Sequence, residues 1–161
     1  MLASHMLPLL AALAFVGAPV QAAGPGTSDV DGLIGVLTSM GHSVVEEDAD
    51  DGPNLVIDGG AWSISLADCT ERARCAHGWV YARRQLEHYV YAECANDWNG
   101  QEPFSTAWID NVSQPWLVAT LNLQGDASPA AVGSTLAWYE AQLARFEDYI
   151  QTCPPIDKDA F

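Results

Sequence analysis

Four cysteines, Cys69, Cys75, Cys94 and Cys153, carry the most distinctive chemistry in this chain. No C-x-x-C spacing occurs among them, so a thioredoxin-type redox role has no sequence support. Zinc would need Cys and His ligands at tight spacing, and His77 and His88 lie near Cys75 and Cys94 at none of the familiar separations. The acidic stretch Glu46-Glu47-Asp48-Ala49-Asp50-Asp51-Gly52-Pro53 invites a calcium reading. An EF-hand loop started at Asp48 would put Gly52 where an oxygen ligand is needed and Pro53 where a glycine is needed, so the pattern fails. A solvated hairpin loop accounts for the stretch, and His42 reads as a loop residue. No G-x-S-x-G, H-E-x-x-H or phosphate-binding glycine loop is present. Catalytic residues, metal ligands and cofactor-binding residues are therefore all expected to be none. The abundance of carboxylates is not by itself evidence for acid–base catalysis.

The cysteines gain meaning from the start of the chain. Leu7 to Val20 reads LPLLAALAFVGAPV, an apolar run of signal-peptide length, and it leads to small residues around Val20-Gln21-Ala22. Pro8, Gly17 and Pro19 interrupt the run, which is too short for a membrane-spanning helix. The expected organisation is a signal peptide over 1–22 cleaved between Ala22 and Ala23, a linker over 23–27, one domain over 28–152 and a tail over 153–161. An even number of cysteines behind an export signal points to disulfides and a periplasmic or secreted location. No stable membrane insertion is expected after cleavage. The net charge of −15 repels phosphate backbones, and no basic stripe offsets it, so no nucleic-acid partner is expected.

The elements that position these residues follow from periodicity. Val30, Leu33, Ile34, Leu37 and Met40 form one apolar stripe, predicting a helix over Asp29 to Met40 with Ser28 and Asp31 as a capping box. Short strands are expected over Ser43 to Glu46, Leu55 to Asp58, Ala61 to Leu66 and Gly78 to Arg83. Gly59-Gly60 marks a two-residue hairpin turn between the second and third. Leu86, Val90, Cys94 and Trp98 recur every four residues, predicting one side of a second helix. Strands over Ser105 to Asp110 and Trp116 to Leu123 flank a turn at Asn111 to Pro115. In the last helix Ser128 is the N-cap, Pro129 opens the first turn, and Val132, Leu136, Tyr139, Leu143, Phe146 and Ile150 form the stripe. That stripe is better suited to packing on a sheet than to a coiled coil. The order α-β-β-β-β-α-β-β-α implies an α+β domain, a mostly antiparallel sheet with helices packed on it.

Cys94 lies on the stripe of the second helix and Cys153 continues that of the last, so both face the interior and form a natural pair. Cys69 and Cys75 bracket the turn Thr70 to Ala73 and would close a short loop. The other two connectivities stay open at this point.

Asn96-Asp97-Trp98-Asn99, Phe104, Ala107-Trp108-Ile109-Asp110, Leu121-x-Leu123, Gly125, Ser128 and Leu136-x-Trp138 resemble the YbjN family of bacterial sensory transduction regulators. The likeness spans residues 28 to 152 and is clearest in the C-terminal half. It implies a fold similar to type III secretion chaperones, no established enzymatic activity, and a cysteine pair where Cys69 and Cys75 stand. The chain departs from the family at Gly100-Gln101-Glu102-Pro103, where other members tend to carry basic residues. The expected function is a non-enzymatic protein-binding, chaperone-like or regulatory module of the cell envelope. Its partner would be an envelope protein docked around Trp98, Asn99, Phe104 and Trp108. A small-ligand carrier, with an apolar pocket between sheet and last helix, and a small secreted hydrolase, with facing acids in a cleft, are the competing readings.

Overall fold

A computed structural model describes residues 29–49, 52–70, 74–125 and 127–156. The segments expected as signal peptide and linker, Ser28 and the end of the tail lie outside the described residues. The elements run α1 (Val30–Ser39), β1 (Val44–Ala49), β2 (Gly52–Ile57), β3 (Trp62–Ala67), β4 (His77–Arg83), α2 (Ala92–Gln101), β5 (Thr106–Ile109), β6 (Pro115–Asn122) and α3 (Pro129–Ile150). The six strands form one antiparallel sheet in the order β1-β2-β3-β4-β6-β5. The class is α+β with the expected element order.

Alternation decides which face of the sheet is covered. Leu55, Ile57, Trp62, Ile64, Leu66, Val80, Ala82, Leu117 and Leu121 are buried, whereas their neighbours along each strand are half-buried or exposed. The helices lie on the buried face. The stripe of α3 from Val132 to Ile150 packs across it, and the Tyr139 hydroxyl donates to the Leu117 carbonyl at 3.2 Å. The Tyr139 ring also meets Trp62, with centroids 5.7 Å apart. Burial pushes the Tyr139 phenol far above its ordinary range, so it stays a neutral donor. Along the buried stripe of α3, side chains fill the space between helix and sheet. Near the start of β4 a Cβ on Gly78 would sit 3.0 Å from Ile64 Cγ2 and 3.2 Å from Leu66 Cδ2, so glycine lets the core close over this strand.

Several local expectations are corrected. Asp29, not Ser28, caps α1: its backbone is extended and its Oδ1 accepts the Gly32 N–H at 2.6 Å. The acids Glu46, Glu47 and Asp48 belong to β1 rather than to a loop, because pairing with β2 continues to Ala49 opposite Gly52. The β2–β3 turn spans four residues, 58–61, with Gly59 and Gly60 both at positive φ. α2 starts only at Ala92, so Leu86 and Val90 precede it. Val90 is buried by bridging to Pro155, and Leu86 is held by its N–H donating to Gln114 Oε1 at 2.6 Å. Tertiary packing, not helical periodicity, turns these two inward.

Cys69 is joined to Cys75 in the β3–β4 connection, and Cys94 of α2 is joined to Cys153 just beyond α3. Among the described residues, no helix is long and apolar enough to cross a membrane.

Candidate interaction surface

Of the four residues singled out in the sequence, two are internal and two reach solvent. Trp98 is buried; its Nε1–H donates to Ser105 Oγ at 3.2 Å, and its ring meets Phe146 and Tyr149. Asn99 binds the backbone of β5, accepting the Ala107 N–H and donating to the Ala107 carbonyl. Phe104 is 76 % exposed and stands edge-to-face against Trp138 of α3. Trp108 is 40 % exposed and lies on the sheet face away from the helices. The fold therefore does not gather these four into one patch.

Asp110, the last residue of the Ala107-Trp108-Ile109-Asp110 run, organises the turn into β6. Its Oδ1 accepts the Val112 and Gln114 amides at 3.0 and 2.8 Å, and its Oδ2 accepts Arg83 Nε and Trp116 Nε1, both at 3.0 Å. Desolvation alone would raise this carboxyl, but the hydrogen bonds outweigh it and hold Asp110 at about 2. Asp110 is thus a fixed anion that orients Trp116 and Arg83 on the uncovered face.

That face carries aromatic residues in register. Strand pairing aligns Arg83, Trp116 and Trp108 in one row, Tyr81, Val118 and Thr106 in the next, and Trp79 and Thr120 in the next. The rings of Trp108 and Trp116 stack, 5.4 Å apart and 8° from parallel. Tyr81 flanks Trp116 at 5.9 Å, and the Arg83 guanidinium lies 5.9 Å from the Trp116 ring centroid. On β1 to β3 the same face continues through Val45, Glu47, Asn54, Val56, Ser63 and Ser65, with the Tyr81 hydroxyl donating to Asn54 Oδ1 at 3.0 Å. Among the described strand residues of this face, only Glu47 and Arg83 carry a formal charge, with the Asp110 carboxylate paired to Arg83 at its rim, in a chain of net charge −15.

Trp79, Tyr81, Arg83 and Trp116 were not selected from the sequence. The signal was present in His77-Gly78-Trp79-Val80-Tyr81-Ala82-Arg83, where large aromatics alternate with small apolar residues. Both faces of such a strand are apolar, and composition alone makes the aromatic face look like the core.

The clusters with potential for chemistry are structural ties. His42 lies between Asp58 and Glu140, with Nδ1 2.8 Å from Asp58 Oδ2 and Nε2 3.2 Å from Glu140 Oε1. Hydrogen bonds from His42 and the Ser43 amide hold the Asp58 carboxyl below its usual range. Both ring nitrogens are thus engaged by carboxylates of the protein itself. Among the described residues, no group of three or more His, Cys, Asp or Glu is placed to hold a metal ion.

These features define a disulfide-bearing α+β domain with helices on one sheet face and an aromatic, charge-poor surface on the other. The chain matches the model of the YbjN family, described as "Putative bacterial sensory transduction regulator", over residues 29–152, and it belongs to that family. Membership suggests a regulatory or protein-binding role. No curated protein and no solved structure matches the chain.

Proposed function

We propose that this protein is a non-enzymatic, regulatory or chaperone-like protein-binding module, and that it docks its partner on the uncovered sheet face. One observation carries this reading: Trp79, Tyr81, Trp108 and Trp116 share a face whose described strand residues include only two charged ones, in a strongly acidic chain. Protein interfaces have this composition, rich in Trp, Tyr and Arg and depleted of acids at their centre. The stacked Trp108–Trp116 pair is already ordered, so docking on it costs little side-chain entropy. The family description as a regulator supports a role without catalysis. Two disulfides and the apolar segment at Leu7 to Val20 support a periplasmic or secreted module of the cell envelope.

The test places a photo-crosslinking amino acid at Trp79 or Trp108 in the exported protein, with exposed Ala141 of α3, on the opposite side of the sheet, as control. The reading requires one discrete crosslinked protein from positions 79 and 108, absent at 141. Identical patterns at all three positions, or no crosslink at 79 and 108, would overturn it.

A further inference from the structure

A β-sheet must protect its outer strands, whose free backbone groups otherwise pair with other chains. Two edges of this sheet are guarded. The outer edge of β1 carries Glu46, Glu47 and Asp48. The outer edge of β5 is stopped at its centre by the Asn99 amide on Ala107.

A third stretch of edge has no such guard. β5 is only four residues long, and its pairing with β6 ends at Thr106 opposite Val118. The Pro115 carbonyl accepts from Arg84 and the Leu123 amide donates to Ala76, so odd-numbered residues of β6 turn toward the β4 side. The backbone groups of Thr120 and Asn122 therefore point the other way, past the end of β5, where no strand lies among the described residues. Beside them is a groove of about 440 Å³ lined by Phe104, Thr120, Ser134, Thr135 and Trp138. Its aromatic walls are Phe104 and Trp138, and none of its lining residues is charged.

We propose that this open edge accepts an extended segment of a partner polypeptide as an added strand in line with β5. The backbone of the segment pairs with Thr120 and Asn122, and one of its apolar side chains seats between Phe104 and Trp138. The occupant follows from the groups on offer. Free strand N–H and C=O groups are matched by another extended backbone, and an aromatic groove selects an alternate apolar side chain. The net charge of −15 favours a basic or uncharged segment over an acidic one. This site is separate from the sheet face, because it uses strand edge and helix-side groove rather than the outward side chains.

Ten-residue peptides displayed on phage are selected against the full, disulfide-intact chain, and the best binder is synthesised. Three results are expected. Amide exchange at Thr120 and Asn122 slows at least tenfold on saturation; Trp138→Ala weakens binding at least tenfold; and Thr120→Pro, which removes the edge donor, abolishes binding. A copy of the peptide N-methylated at alternate amides tests the same pairing without altering the protein, should Thr120→Pro not fold. The proposal is overturned if selection yields no binder tighter than about 1 mM, a level at which the contact has no useful affinity. It is also overturned if the peptide binds with Thr120 and Asn122 exchange unchanged, or if both N-methylated registers bind as well as the parent.

Discussion

The side-chain amide of Asn99 pairs with the backbone of Ala107 as a neighbouring strand residue would: Ala107 N–H to Oδ1 at 2.7 Å, and Nδ2–H to the Ala107 carbonyl at 2.9 Å. The pair fastens α2 to β5 and ends the sheet. Asn99→Ala is expected to cost about 2 kcal/mol through two lost, partly buried hydrogen bonds, read as a lower urea midpoint. Unplugging the edge is also expected to raise self-association, measurable by sedimentation velocity. An unchanged midpoint together with unchanged Ala107 amide exchange would show that the pair contributes nothing.

Trp98 and Trp108 are expected to respond differently to truncation. Trp98→Ala removes a buried ring packed on Phe146 and is expected to cost about 3–5 kcal/mol. Trp108→Ala removes one member of an exposed stack and should cost no more than about 1.5 kcal/mol. Denaturant titration of the two variants checks the order, and equal losses would contradict the assigned burial.

The two disulfides constrain loops of very different length. In the chain-entropy model the Cys94–Cys153 bridge, with a sequence separation of 59, contributes about 4 kcal/mol, and Cys69–Cys75, with a separation of 6, about 2.5. Replacing Cys94 and Cys153 together by Ser is expected to lower Tm more than replacing Cys69 and Cys75. The reverse order in calorimetry would rule this out.

Asp110 gives the protein an acid-sensitive turn. Its carboxyl sits at about 2 in the fold, below an unfolded value of about 3.9. The stabilisation is therefore complete above about pH 4 and is lost as pH falls toward about 2. Asp110→Asn is expected to be less stable than the native chain at pH 7 and to show a flatter stability profile between pH 4 and 2. Parallel profiles for the two proteins would refute the assignment.

The acids of β1 are expected to keep its edge from pairing. Replacing Glu46 and Glu47 by Gln and Asp48 by Asn should leave the fold intact, since all three are exposed, but promote concentration-dependent association. Light scattering that matches the native chain at the same concentration would show that the acids serve another purpose.

The sequence discloses the helix stripes and the alternating strands well, because burial of one face imposes a period that survives in the residue types. The Ser128 cap, the Pro129 start and all six residues of the α3 stripe are found where periodicity places them. Leu86 and Val90 mislead because their four-residue spacing agrees with a helix although extended chain holds them. The interaction surface was less legible for a different reason. Trp98 and Trp108 are the same residue type, but packing of α2 against α3 turns the first ring inward, while the register of β5 against β6 sends the second out.

The placement of α3 also bears on the order in which the molecule can assemble. The β1–β4 meander is built from local hairpins, which close quickly. The packing on α1, on β6 and on the Trp62 ring nevertheless stays unmade until α3, which follows every strand in the sequence, arrives. A chain still lacking that helix leaves Trp62 and Leu117 without the Tyr139 side chain that packs on them, apolar surface of the kind that invites aggregation. Completion of α3 acts as the latch of the fold, so the domain closes as a unit only after its long final helix has been made.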